Sequence, residues 1–79
     1  MKIEVLGTGC AKCKRLEENV RKAVKEAGLT ADIVKVADIN EIVNRGVMMT
    51  PALIIDGDTK VVGRVPGVEE LKRMLSTGR

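Results

Sequence analysis

Two cysteines separated by two residues, Cys10 and Cys13, carry the strongest chemical signal in this sequence. They follow a short Gly-Thr-Gly segment at residues 7–9. Because the cysteines are so close in the chain, a bond between them cannot tie together distant parts of a fold. In a reducing compartment this spacing indicates either thiol–disulfide chemistry or metal binding. We expect the pair to be redox-active, with a metal site as the alternative.

Composition removes several other kinds of chemistry. The 79-residue chain contains no histidine and no aromatic residue. Without histidine there is no Cys–His or Ser–His catalytic pair and no zinc site that needs imidazole. Without aromatic rings, nucleotide bases have no stacking platform. The net charge of +3 comes from interleaved charges of both signs, a pattern typical of a solvated helix face. We therefore expect neither a nucleic-acid partner nor a membrane partner.

The elements that must position the cysteines follow from hydrophobic periodicity. The apolar run at residues 3–6 predicts a first strand, and the glycines after it predict a turn. Apolar residues then recur at helical spacing and stop before Gly28, which is typical of a helix end. They are Leu16, Val20, Ala23, Val24 and Ala27. Residues 32–36 predict a second strand, which the intervening helix makes parallel to the first.

A second, shorter helix is predicted after that strand. Asp38 followed by Glu41 resembles a capping box at its start. Ile39, Ile42 and Val43 give this helix an apolar side, and a glycine closes it.

The rest of the chain predicts a hairpin and a final helix. Asp-Gly at residues 56–57 lies between apolar runs at 52–55 and 60–62, which is the strongest short-range hairpin signal. Apolar residues at helical spacing follow, at Val68, Leu71, Met74 and Leu75. The sequence thus predicts one α/β domain over residues 1–79 with the order β-α-β-α-β-β-α. We expect a four-stranded mixed sheet with helices on both faces, in which the first strand pairs with the second and third.

The position of the cysteine pair assigns a different role to each thiol. Cys10 lies where a strand turns into a helix, so unpaired N–H groups and the positive helix end stabilise a thiolate there. Lys12 and Lys14 add positive charge nearby. Cys13 lies one turn further in, against the core. We expect Cys10 to be the nucleophile and Cys13 to resolve the mixed disulfide.

With these features the chain resembles the small thioredoxin-like, glutaredoxin-sized redox-active disulfide proteins of archaea and bacteria. The resemblance covers nearly the whole chain, and its most specific part combines the cysteine pair with Thr50-Pro51 before the third strand. It implies a thioredoxin-like fold and a thiol–disulfide oxidoreductase that needs no cofactor. It also implies that Pro51 is cis and lies beside the dithiol, and that Thr50 offers its backbone to an extended substrate segment.

The chain departs from those families around the cysteines. The dipeptide between them, Ala11-Lys12, is neither the Gly-Pro of thioredoxins nor the Pro-Tyr of glutaredoxins. Gly9 replaces the aromatic residue that usually precedes the first cysteine. Redox potential and substrate therefore stay open. The partners that the resemblance implies are disulfide-containing proteins and an upstream reductant, either a thioredoxin reductase-like enzyme or a small thiol.

Five further side chains are candidates for the site. Glu4 stands six residues before Cys10, the spacing at which thioredoxins carry a proton-accepting Asp, although a Glu near a strand start is more often solvated. Met49 and its neighbour Met48 either flank the dithiol as an adaptable substrate surface or fill space in the core or a loop. Lys12 and Arg64 are candidate contacts for an anion such as a glutathione carboxylate, although most such residues are simply solvated.

A copper-chaperone-type carrier is the alternative from another functional class. Such carriers place a G-M-T-C-x-x-C loop after the first strand, which residues 7–13 resemble without its methionine. They follow the order β-α-β-β-α-β and end on a strand, unlike the order predicted here. The start of the chain has no long apolar segment, so we expect a cytoplasmic protein, and we expect it to be a monomer.

Overall fold

The computed structural model describes residues 1–9 and 11–77. Its elements have the predicted order, with these bounds: β1 Lys2–Leu6, α1 Ala11–Glu26, β2 Asp32–Val36, α2 Ile39–Asn44, β3 Ala52–Ile55, β4 Asp58–Val62 and α3 Val68–Thr77. The four strands form one sheet in the order β2-β1-β3-β4. β1 runs parallel to β2 and antiparallel to β3, which confirms the predicted mixed sheet. Among the described residues, no helix is both long enough and apolar enough to cross a lipid bilayer.

One face of the sheet is covered by α1 and α3. Successive side chains of a strand point to opposite faces, and on β1 Ile3 and Val5 belong to the same buried cluster as residues of both helices. The helices also pack against each other on this face. Their buried contributions are Leu16, Val20, Ala23 and Val24 from α1 and Leu71 and Leu75 from α3. This layer fixes α1 against β1, and with it the helix that carries the cysteines.

The opposite face is covered by α2 and the residues that follow it. Leu6 of β1 joins Ala52 and Ile54 of β3 in a second buried cluster with Ile42 and Val47. The predicted apolar side of α2 is therefore only partly buried: Ile42 is in the core, whereas Ile39 is 64% exposed and Val43 is 55% exposed. Ile39 and Val43 lie within one turn of Ile42 on this six-residue helix, but nothing among the described residues buries them.

The loops contain the hairpin turn and the helix cap that the sequence predicts, but the predicted capping box is incomplete. Asp56 and Gly57 both have positive φ, at 49° and 87°, as a tight hairpin turn requires. Asp38 caps α2 by accepting a hydrogen bond from the Asn40 amide at 2.8 Å. The predicted capping box is not reciprocal, because the Glu41 carboxylate accepts a hydrogen bond from Arg45 Nη1 at 3.2 Å instead.

Candidate active site

The site is built where β1 passes into α1. The strand ends at Leu6 and the helix begins at Ala11, so residues 7–9 make a short connection. The Gly7 amide donates a hydrogen bond to the Val36 carbonyl at 2.9 Å, which fastens the connection to the end of β2. Gly9 follows with φ of 90°, a left-handed conformation that favours glycine. Cys10 lies outside the described residues.

Cys13 is buried on the first turn of α1, where it is 2% exposed. Side chains of a helix lean back toward its N-terminus, so Cys13 packs over the connection, directly against Gly7. A Cβ atom added to Gly7 would lie 2.7 Å from Cys13 Cβ and closer still to Cys13 Sγ. The absence of a side chain at Gly7 is therefore what makes room for the thiol. Gly7 was predicted only as part of a turn. Its contact with Cys13 could have been predicted as well, because helical side chains lean back toward the helix N-terminus.

The Thr50–Pro51 segment leads into β3. The Thr50–Pro51 peptide bond is cis. Pro51 is fully buried, whereas Thr50 is exposed. The Pro51 carbonyl accepts a hydrogen bond from the Gly63 amide at 2.8 Å. Met49 lies over Gly63, with its Cε 3.1 Å from where a Cβ of residue 63 would stand. A side chain at position 63 would therefore displace Met49.

An apolar groove, which we call the α2 groove, connects this segment with the start of the site. It encloses about 230 Å³. Its lining includes Thr8, two residues before Cys10, and Thr50, beside the proline. The remaining lining residues are Ile39, Ile42, Val43, Val47 and Met48. Met48 is 87% exposed, so it forms part of the surface instead of filling the core.

A second groove, which we call the basic groove, lies between α1 and the segment at residues 63–65. It encloses about 630 Å³. It is lined by Ala11, Lys12, Arg15, Asn19, Gly63, Arg64 and Val65. The predicted substrate contact Lys12 is exposed and lines this groove. Arg15 was not among the predicted site residues, although its i, i+3 spacing from Lys12 places both on one helix face.

Glu4 is a buried charged residue, and it belongs to the other face of the sheet. It is 7% exposed, and its carboxylate accepts a hydrogen bond from Arg45 Nε at 2.7 Å. This hydrogen bond is the main cause that raises the pKa of Arg45 above its ordinary value. By strand alternation Glu4 shares the α2 face with Leu6, whereas Cys13 lies on α1 at the opposite face. The structure thus brings Glu4 to Arg45.

Comparison with known proteins identifies close relatives along nearly the whole chain. Residues 1–76 match a family model described as "Thioredoxin domain". A protein named thioredoxin from Methanothermobacter thermautotrophicus is 46% identical over 76 residues, which cover 96% of this chain and 99% of that protein. Another protein named thioredoxin, from Methanocaldococcus jannaschii, is 47% identical over 75 residues, covering 95% of this chain and 86% of that protein.

Proposed function

Because the chain belongs to the thioredoxin family of thiol–disulfide oxidoreductases, we propose that it reduces or exchanges protein disulfides through Cys10 and Cys13. The observation that carries this assignment is the burial of Cys13 against Gly7 at the junction of β1 and α1. A buried thiol one turn into the helix suits the second step of disulfide exchange. In that step the thiol reacts only with a mixed disulfide that the substrate has already formed with Cys10.

The reaction runs in two exchange steps. The Cys10 thiolate attacks one sulfur of the substrate disulfide, forming a mixed disulfide and releasing the other substrate sulfur as a thiolate that takes up a proton. Cys13, after losing its own proton, then attacks the Cys10 sulfur and releases the second substrate thiolate. Two electrons have moved to the substrate, and the protein holds a Cys10–Cys13 disulfide. An upstream reductant, a reductase or a small thiol, restores the dithiol.

The substrate segment, in this proposal, lies along Thr50 and Pro51 with Met49 and Lys12 at its edges. Support comes from the α2 groove, which places Thr8 and Thr50 in one lining, and from the exposure of Thr50. Exposed methionines can adapt to different apolar side chains. The reaction in this proposal takes place in the cytoplasm, with the protein acting as a monomer and without a cofactor.

The role of Glu4 as the proton acceptor for Cys13 stays a prediction. Its hydrogen bond to Arg45 and its position on the α2 face favour a structural role for the same carboxylate. Arg45 follows the last residue of α2, so the pair ties the end of that helix to β1. The segment with Met48, Met49 and Thr50 begins three residues later.

The carrier alternative is not favoured by the fold. In a copper-chaperone-type order the strand after β2 would follow it directly, and the domain would close on a strand. Here α2 stands between β2 and β3, and the described part of the chain ends in α3.

Reduction of a disulfide-bonded peptide, with dithiothreitol as electron source, tests the proposal. The unmodified protein should catalyse turnover, Cys10→Ser should abolish it, and Cys13→Ser should accumulate protein covalently bound to peptide. Circular dichroism of each variant controls for folding. Tight binding of one Cu(I) per chain through both cysteines, without peptide reduction, would instead establish a carrier.

A further inference from the structure

We propose that the basic groove binds acidic side chains flanking the reactive cysteine of a protein substrate. The inference rests on the proposed function and adds a substrate class to it: protein disulfides next to Asp or Glu. The groove begins at the two residues between the cysteines, since Ala11 and Lys12 both line it. A substrate joined to Cys10 therefore has its neighbouring residues within reach of this surface.

The dimensions of the groove suit an extended peptide segment. Along α1 it runs from Ala11 to Asn19, eight residues at 1.5 Å each, or about 12 Å. Extended chain advances about 3.3 Å per residue, so three to four substrate residues span that length. Lys12, Arg15 and Asn19 have the spacing i, i+3 and i+7, which aligns them on the helix face that forms the wall.

The charge of the groove is positive and is not neutralised by its own lining. Three of its seven lining residues are cations and none is a carboxylate. Within residues 1–9 and 11–77, no carboxylate lies within ion-pair distance of Lys12 or Arg15, whereas Arg21 further along the helix pairs with Glu17 at 3.0 Å. Cations left without a carboxylate at a concave surface attract acidic groups of a partner and speed its encounter.

The opposite wall is held in place before any partner binds. Arg64 donates two hydrogen bonds to Glu70, at 3.1 Å and 2.6 Å. Asn19 Nδ2 donates to the Pro66 carbonyl at 3.0 Å, which joins α1 to the segment behind that wall. Glu70 offsets the charge of Arg64, so Lys12 and Arg15 supply the net positive charge of a groove whose shape is already set.

Three disulfide-bonded peptides, identical except for three residues beside one cysteine, provide the test. Those residues are acidic in the first peptide, neutral in the second and basic in the third. At about 10 mM salt, where charges act over about 30 Å, the acidic peptide should be reduced about tenfold faster than the basic one, as measured by kcat/KM. At about 1 M salt, where the range falls to about 3 Å, the two rates should agree within about twofold.

Reversing one charge at a time on α1 tests whether the preference for the acidic peptide depends on the basic groove. Arg15→Glu should remove the preference for the acidic peptide, and Lys25→Glu, an exposed site ten residues further along α1, should leave it. Dividing each rate by that of the neutral peptide cancels any change in thiol reactivity. Equal losses in both variants, or no preference in the unmodified protein, would overturn the inference.

Two further outcomes separate this inference from the proposed function. Reduction of the neutral peptide with no preference among the three would refute the groove assignment and leave the proposed function standing. Reduction of none of the peptides would refute both. If rates with oxidised glutathione depend on Arg15 while those with the peptides do not, the groove serves a small anionic disulfide and the inference is wrong.

Discussion

Replacing Gly7 with alanine would drive a methyl group into the side chain of Cys13. The new carbon would lie 2.7 Å from Cys13 Cβ, about 1 Å inside an ordinary carbon–carbon contact of 3.5–4.0 Å. The obstructing atom is a β-carbon fixed to the helix backbone, so it cannot swing aside as the tip of a long side chain would. Overpacking of this kind costs about 1–3 kcal/mol, and we expect the upper half of that range.

Chemical denaturation of the reduced protein measures this cost, and a double-mutant cycle assigns it to the contact. Gly67→Ala is the matched control, because no atom outside its chain neighbours lies within 4 Å of a Cβ at that position. This substitution should lower the free energy of unfolding by less than about 1 kcal/mol, the scale of a changed helix cap. Gly7→Ala should cost less in a Cys13→Gly background, where both Sγ and the obstructing β-carbon are gone and the nearest remaining atom, the Cα of residue 13, lies at 3.8 Å. Full additivity of the two changes would refute the packing argument.

The remaining predictions concern charge and the α2 groove. Glu4→Gln should lower the unfolding midpoint. It should leave unchanged the rate at which Cys13 resolves a mixed disulfide in stopped-flow measurements, and slower resolution would establish Glu4 as the proton acceptor. The hydrogen bond from Arg64 holds the pKa of Glu70 below its ordinary value, so this pair stabilises the fold at neutral pH, and its contribution is lost as the pH falls below about 4.3. Glu70→Gln should therefore lower the thermal midpoint at neutral pH, with a deficit that shrinks in acid; a deficit that grows in acid would contradict this. Met48→Ser should raise KM for peptides with apolar residues beside the disulfide, whereas Val34→Ser, an exposed site on β2, should not.

The order of elements could be predicted because each one carries a local signal. The Asp56-Gly57 pair fixes the hairpin through two positive φ angles, and Gly28, with φ of 67°, stands just beyond the end of α1. The burial of α2 could not be predicted in the same way. Ile39 and Val43 have the same hydrophobicity and helical spacing whether or not another element covers them, and only the assembled sheet shows that Ile42 alone reaches the core.

The cysteine pair, the proline segment and Lys12 could be recognised as site candidates from sequence, but two contacts between residues far apart in the chain could not. Glu4 and Arg45 are 41 positions apart in the chain and meet only because α2 folds back across the sheet. The contact of Met49 with Gly63 likewise joins two loops that β3 and β4 bring together. Such pairs have no periodic pattern, so a single sequence gives no reason to connect them.

Alkylation of the reduced protein tests the central assignment most directly. With limiting iodoacetamide near neutral pH, Cys10 should be modified several-fold faster than Cys13, because a thiolate is stabilised at a helix start and Cys13 is only 2% exposed. Fragment-ion mass spectrometry distinguishes the two sites, and denaturant should remove the difference. Equal rates in the folded protein, or faster modification of Cys13, would contradict the assignment of Cys10 as nucleophile and Cys13 as resolving thiol.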